Sequence, residues 1–153
     1  MARLSIHFVL VSLLMVSVAL AQTTNDPFSL PIPAADGGFC ARGGRFGPHG
    51  TQWSMSAPFY KKLQVFSWFN AGMRVVDVRN PFEPIEVAYY IPATTANTDE
   101  RCVTIDAVER CKTAIQTNNV EVDDRGLVYL VDRANTGLHI VELTGPAAVI
   151  LDE

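Results

Sequence analysis

The sequence contains few of the residues from which catalytic and metal sites are usually built. Its 153 residues include only three histidines and three cysteines, and no C-x-x-C or H-x-x-x-H spacing occurs. His49 and His139, the histidines beyond residue 21, are too few for a three-histidine zinc site. No G-x-S-x-G elbow and no phosphate-binding G-x-x-x-x-G-K-[ST] loop is present. The sequence therefore favours a protein that is not an enzyme, with no catalytic residues, no metal and no cofactor.

Positive charge and long apolar runs are also scarce. The 16 Asp and Glu residues outnumber the 12 Lys and Arg residues, which gives a formal net charge of −4. An acidic chain is a poor ligand for nucleic acid or for an anionic membrane surface. The longest mainly apolar run, residues 8–20, is shorter than the ~18 residues that a transmembrane helix needs. We therefore predict no nucleic-acid partner and no stable membrane anchor.

Residues 1–21 have the pattern of a cleaved signal peptide. Arg3 provides the positive charge, residues 8–20 provide the apolar stretch, and Ala19-Leu20-Ala21 provides the small residues read by signal peptidase. The mature protein is then expected to be secreted or periplasmic. Residues 22–44 are polar at first and then rich in Pro, Ala and Gly, so they are interpreted as a linker or loop.

An internal repeat is the most informative feature of the remaining chain. Residues 65–92 hold three β-type runs separated by two turn signals, and residues 131–146 are a weaker copy at a constant offset of 65. In both copies an Asn-x-Gly turn precedes an apolar run, as expected for a tight hairpin. The offset aligns Asn70, Met73, Arg74, Val75, Val76 and Val78 with Asn135, Leu138, His139, Ile140, Val141 and Leu143.

The apolar run after each turn predicts the fold class. Both faces of the run are apolar, which is typical of a strand covered on both sides, and stacked β-propeller blades give this pattern. We therefore predict an all-β fold of about two antiparallel propeller-type blades in an incomplete ring. The alternative is two unrelated hairpins of a β-sandwich. A closed propeller has at least about four blades, so the chain either associates with copies of itself to complete the ring or is a shortened form of a longer protein.

The predicted blades occupy residues 45–153. Residues 93–114 are polar and interrupt the repeat, so we interpret them as an insertion with residues 103–105 as one arm of a hairpin. The first blade is predicted to contain strands at residues 51–56, 63–69, 73–78 and 85–91. The second blade is predicted to contain strands at residues 115–123, 127–132, 138–143 and 147–151.

Three segments of the chain resemble a known family. FSWFNAGMRVVDVRNPFEPIEVAYYIP at residues 66–92, RFGPHG at 45–50 and GLHIVELTGPA at 137–147 look like the C-terminal part of LVIVD-repeat proteins. The resemblance covers residues 43–148 and implies a β-propeller fold, and members of the family are mostly bacterial and often exported. It implies no particular activity. Members usually follow the RFGPH motif with Asn and a second His, whereas Gly50 and Thr51 stand here.

The three cysteines allow one disulfide and leave one cysteine over. Cys102 and Cys111, with eight residues between them, are the natural pair and would clamp the insertion. A bond from Cys40 to either of them is the alternative. A catalytic role of Cys40 would need a histidine partner, and only His49 and His139 are available.

The candidate binding residues follow from the way in which propellers bind ligands, at the ends of the central channel. They are His49, Asn118 and Asn119, with Arg45 behind them. The favoured function is an exported, non-enzymatic repeat module for protein interaction or scaffolding, with an unknown protein or small ligand as partner. The alternative is a cell-envelope enzyme or small-ligand binder with a polar channel mouth near His49. A carbohydrate binder is a third reading, and it requires that Trp53 and Trp68 are both exposed.

Overall fold

The structure, a computed structural model, describes residues 38–153. The predicted signal peptide and residues 22–37 of the predicted linker lie outside the described residues. The described part of the chain is all-β, as predicted, with three antiparallel sheets, two short helices and no closed barrel. None of its helices is long and apolar enough to cross a membrane. The elements are α1 (Gly38–Arg42), β1 (Pro48–Thr51), β2 (Leu63–Trp68), β3 (Gly72–Asp77), β4 (Ile85–Tyr90), β5 (Glu100–Ile105), β6 (Val108–Thr113), β7 (Thr117–Val122), β8 (Leu127–Asp132), β9 (Gly137–Glu142) and α2 (Pro146–Asp152).

The first sheet has four strands in the order β1-β2-β3-β4, as a propeller-type blade requires. Along β2 the burial alternates, with Leu63, Val65 and Ser67 buried and the residues between them half-buried. The chain turns from β2 into β3 at Gly72, whose φ of 75° lies in the left-handed region that favours glycine. A Cβ atom there would lie 2.2 Å from the carbonyl oxygen of Tyr90, so no larger residue fits.

The inner strand of the first sheet differs from the prediction, because β1 spans Pro48–Thr51 rather than residues 51–56. The backbone N–H of Gln52 still donates to Val65 at 3.2 Å. The next two N–H groups, of Trp53 and Ser54, donate instead to the carboxylate of Glu121, at 3.2 and 3.0 Å. A long-range side-chain contact therefore ends the strand, and this contact cannot be read from the local sequence.

The second sheet has three strands in the order β7-β8-β9, and not the four that were predicted. The predicted strand at residues 147–151 is wrong, because Pro146–Asp152 forms helix α2. Pro146 suits the first helical turn, where its missing N–H is not needed. Ala147 and Ile150 are three residues apart, so their buried side chains share one helix face. Lys62 holds the helix to the first sheet by donating from Nζ to the carbonyl oxygen of Leu151 at 2.9 Å.

One hydrophobic core lies between the first and the second sheet. Each sheet contributes alternate residues of its strands, as expected where two sheets pack face to face, and α2 packs against the same core. The buried members are Phe59, Leu63, Val65, Met73, Val75, Ala88, Val120, Val122, Val128, Leu130, Ala147 and Ile150. The two sheets are therefore stacked like neighbouring blades.

The predicted insertion forms a separate hairpin of β5 and β6. Its cross-strand partners Cys102 and Cys111 are joined by the predicted disulfide. Most residues of both strands are exposed, and an isolated two-stranded hairpin is marginally stable in water. The disulfide is therefore a main source of order in this hairpin. The remaining cysteine, Cys40, is exposed on α1, a short helix within a segment that was predicted to be a loop.

Strand β9 contradicts the expectation that both copies of the repeat are covered on both faces. The aligned residues of β3 are buried, with Met73 1% and Val75 0% exposed, whereas Leu138 and Ile140 on β9 are 60% and 56% exposed. The difference arises because Met73 and Val75 face the core between the two large sheets, whereas Leu138 and Ile140 lie on the side of the second sheet that faces away from this core.

Candidate functional site

The first strands of the two large sheets bring the predicted binding residues together. The Nδ1 atom of His49 lies 2.7 Å from the backbone oxygen of Asn118, although 69 residues separate them. Ser67 on β2 donates from Oγ to the same oxygen at 2.6 Å. The side-chain amide of Asn118 is hydrogen-bonded to that of Asn119. We call His49, Asn118 and Asn119 the inner-strand cluster.

The contact with Asn118 determines which nitrogen of His49 carries the proton. A carbonyl oxygen only accepts hydrogen bonds, so Nδ1 is the donor. In the neutral ring Nε2 is then unprotonated and can accept a hydrogen bond. His49 is exposed, so this acceptor belongs to a surface side chain and not to the core.

Phe69 and Arg133 support the inner-strand cluster, and the sequence analysis missed both. The ring centroids of His49 and Phe69 are 5.0 Å apart, and the guanidinium carbon of Arg133 lies 5.1 Å from the Phe69 centroid. Arg133 also donates from Nη1 to Oδ1 of Asn118 at 3.4 Å. Phe69 forms a β-bridge with Thr117 and so links the two sheets at this point. No local pattern marks Arg133, because it meets the cluster only through the pairing of β7 with β8.

Arg45 lies beside the inner-strand cluster and is held there by its backbone. Its N–H donates to Oε1 of Gln116 at 3.0 Å, and Nε2 of Gln116 donates to the Arg45 carbonyl oxygen at 3.2 Å. The N–H of Asn70 donates to the same carbonyl oxygen at 3.2 Å. Gln116 is 1% exposed, so a buried side chain that the sequence analysis did not identify positions the exposed Arg45.

The cluster is equipped for recognition by hydrogen bonds. His49 offers an acceptor, while the amide groups and the Arg133 guanidinium offer donors. The partners of His49 are a carbonyl oxygen and an aromatic ring, and neither is a nucleophile that a base could activate. The arrangement therefore suits a small polar or anionic group better than a hydrolytic reaction.

One group of possible metal ligands occurs within residues 38–153. It consists of Glu100, Cys102 and Cys111. Both sulfur atoms are used in the disulfide, so neither is available as the thiolate that a metal requires. This group is therefore not a metal centre.

The two tryptophans do not form a common surface for a sugar. Trp68 is the last residue of β2. Trp53 lies near the other end of that strand, where the side chain of Gln52 donates to the carbonyl oxygen of Leu63 at 3.1 Å. Trp53 is 86% exposed, whereas Trp68 is half-buried. The third reading required two exposed indoles, and only one is present.

The side of the second sheet that faces away from the first is a second exposed surface. Val131 and Leu138 are cross-strand partners, and Ile140 lies two residues further along the same face. The three side chains are 47%, 60% and 56% exposed. Strand β9 is the edge of this sheet within the described residues. We call Val131, Leu138 and Ile140 the outer face of the second sheet.

Comparisons with known protein families, with curated proteins and with solved structures found no match. The resemblance to LVIVD-repeat proteins therefore stays a prediction that rests on the residues that carry it. Two surfaces of the described residues bear on function, the inner-strand cluster and the outer face of the second sheet.

Proposed function

We propose that the protein is an exported, non-enzymatic interaction module of the β-propeller type, related to LVIVD-repeat proteins. The outer face of the second sheet carries this proposal, because three neighbouring aliphatic side chains are each about half exposed or more. Apolar groups grouped on one face and next to a free strand edge are typical of an interaction surface. A partner that covers the outer face removes this apolar area from water.

Two observations support the export part of the proposal. The Cys102–Cys111 disulfide joins exposed strands, and such bonds persist in oxidising compartments such as the periplasm or the extracellular medium. The pattern at residues 1–21 is that of a signal peptide. We therefore place the mature protein outside the cytoplasm, as a secreted or periplasmic protein.

Photo-crosslinking in the producing cells tests the interaction function. A photoreactive amino acid replaces Leu138 on the outer face of the second sheet, and a matched chain carries it in place of Thr104, which is exposed on the β5-β6 hairpin. We expect a discrete crosslinked product from position 138 and none from position 104. Equal crosslinking at both positions, or none at position 138, would remove the basis of the proposal.

The alternative, a small-ligand binder at the inner-strand cluster, is favoured by one observation. His49 and Arg133 both lie about 5 Å from the Phe69 ring, at 5.0 and 5.1 Å, so an acceptor and a cation share one rigid support. Thermal melts with acetate, succinate and glucose as probes test this function. A rise in melting temperature that is lost in His49→Ala, without a change in the melting temperature of the free protein, would favour the alternative.

A further inference from the structure

The packing of the two sheets inside the chain defines which faces fit one another. The first sheet uses Met73 and Val75 of β3, which are fully buried. The second sheet uses Val128 and Leu130 of β8, whose partners on β9 are Val141 and His139. Val141 packs against the same core. We call the side of each sheet that carries these residues its inner face. The inner face of the first sheet packs on the inner face of the second.

The 65-residue repeat shows that this interface uses non-equivalent faces. Met73 and Val75 align with Leu138 and Ile140, which lie on the outer face of the second sheet. His139 and Val141 lie on the inner face of the second sheet and align with Arg74 and Val76. The side chains of Arg74 and Val76 lie on the side of β3 that faces away from the core. One interface is thus formed, and the equivalent pair of faces takes no part in it.

The register of the strands defines the face of the first sheet that lies opposite its inner face. Phe66, Arg74 and Tyr89 are direct cross-strand partners, and Trp68 lies two residues from Phe66 on the same side. We call these four residues the outer face of the first sheet. The three aromatic side chains are half-buried, and the ring of Trp68 lies 6.0 Å from that of Phe46, which is 49% exposed.

We propose that the outer face of the second sheet binds the outer face of the first sheet in a second copy of this chain. The contact repeats between chains the packing that already joins the two sheets within a chain. This inference rests on the proposed function, in which the outer face of the second sheet is an interaction surface, and it identifies the partner. The association is head to tail, because each copy contributes a different face.

The charged residues of the outer face of the first sheet are compatible with burial in such an interface. Arg74 is 2% exposed, forms an ion pair with Glu86 and lies 5.1 Å from the centroid of the Tyr89 ring. The pair is neutral overall and is already almost out of water within one chain, with side chains 2% and 10% exposed, so the proposed interface leaves no uncompensated charge. The aligned residue His139 already lies in the interface within the chain, where Nδ1 is 3.4 Å from the hydroxyl oxygen of Tyr90. A polar side chain at this repeat position is therefore tolerated between stacked sheets.

Head-to-tail association either closes into a ring or continues as an open array, depending on the rotation between copies. Closed propellers contain about four to eight blades. Two blade-like sheets per chain therefore close a ring with two to four copies. We expect a discrete oligomer within this range.

Light scattering on the full chain, produced with its own residues 1–21 and purified from an oxidising compartment, tests the inference over a series of protein concentrations. Leu138→Glu alters the outer face of the second sheet, and Phe46→Glu alters the edge of the outer face of the first. Thr104→Glu on the hairpin is the matched control. We expect the control to assemble like the unchanged chain, and each of the other two variants to have a mass at least two-fold lower at equal concentration.

Mixing the two variants distinguishes head-to-tail association from a symmetric dimer. Each variant keeps one intact face, so a mixture of Leu138→Glu and Phe46→Glu should form one heterodimer and nothing larger. A symmetric dimer uses the same face of both copies, so only the variant altered on that face would lose association. Mixing with the other variant would not restore the association of that chain. Circular dichroism melts must show that both variants are folded. If Phe46→Glu does not fold, Gln64→Glu, at a half-buried position on the same side of β2, replaces it.

The failure of this inference can be told from the failure of the proposed function. A chain that is monomeric at all concentrations, but crosslinks to a different protein from position 138, would overturn self-association and leave the interaction function standing. A monomeric chain without any crosslink would overturn both. Crosslinks between two copies, together with restoration on mixing, would support both.

Discussion

Strands β3 and β9 have the same pattern of apolar residues and opposite environments. Met73 and Val75 are buried in the core, while the aligned Leu138 and Ile140 are more than half exposed. Within residues 38–153, β3 is paired on both sides and packs against the second sheet, whereas β9 is paired with β8 alone and its apolar side chains face away from the core. The comparison shows that an apolar strand indicates a surface that is stabilised when another element packs against it. It does not indicate that this packing element belongs to the same chain.

The largest effect is expected where the first sheet depends on its buried charges. Glu86→Ala leaves the Arg74 guanidinium buried without its carboxylate partner, and we expect a loss of about 3–5 kcal/mol in the free energy of unfolding. Urea unfolding measures this loss. The double variant Arg74→Met with Glu86→Leu is the control, and it should be close to the unchanged protein because no buried charge remains. A loss below about 1 kcal/mol in the single variant would show that Arg74 reaches water.

Matched substitutions at aligned positions test the comparison of β3 with β9 directly. Met73→Ala removes a buried side chain and leaves a cavity, so we expect a loss of about 2–5 kcal/mol in the free energy of unfolding. Leu138→Ala at the aligned exposed position should change it by no more than about 0.5 kcal/mol in the dissociated protein. Denaturant unfolding at low concentration gives both values. Similar losses for both variants would mean that β9 is covered.

The disulfide should act on the hairpin and little on the two large sheets. Replacement of both cysteines by Cys102→Ala and Cys111→Ala should destabilise the hairpin by about 2–3 kcal/mol, the loop-closure value for a short loop. Hydrogen exchange should become faster at β5 and β6, with the rates of β2 and β8 unchanged. A general increase in exchange across all strands would contradict the separation of the hairpin from the core.

The smallest effect concerns the turn between β7 and β8 and depends on pH. Partial burial acts to raise the pKa of Asp123, but hydrogen bonds from Arg125, Tyr129 and the Leu127 N–H lower this pKa to about 2. A lowered pKa stabilises the fold at pH values above the ordinary value of 3.8. This stabilisation disappears as the pH falls towards 2.

Asp123→Asn should therefore unfold at a lower temperature than the unchanged chain at pH 7. The difference between the two melting temperatures should shrink from about pH 4 downward, because both side chains become uncharged. A difference that stays constant down to pH 2 would mean that the turn depends on side-chain geometry and not on the charge. Thermal melts of both chains across this pH range measure it.

The sequence predicted those parts of the fold that depend on local pattern. The β-type run at residues 63–69 predicted strand β2, and the Asn-x-Gly signal at Asn70 predicted the turn, where Gly72 has a positive φ. The pairing of Cys102 with Cys111 followed from their short separation. Each of these features depends on residues that are close together in the chain.

Features that depend on distant residues could not be predicted in this way. Glu121 ends β1 by accepting the N–H groups of Trp53 and Ser54 across more than 60 residues, with separations of 68 and 67. The segment at residues 147–151 is apolar enough for a strand, and packing against the core makes it a helix. In the inner-strand cluster, His49 and Asn118 were predicted as candidates, while Arg133 required knowledge of the pairing of β7 with β8.

Helix α2 determines when the protein can fold. Its buried Ile150 completes a core that also contains Phe59, and the Lys62–Leu151 hydrogen bond spans 89 residues. Such contacts cannot form until residues 147–151 have been synthesised, and folds that depend on distant contacts form slowly. The core therefore stays open until α2 has been synthesised.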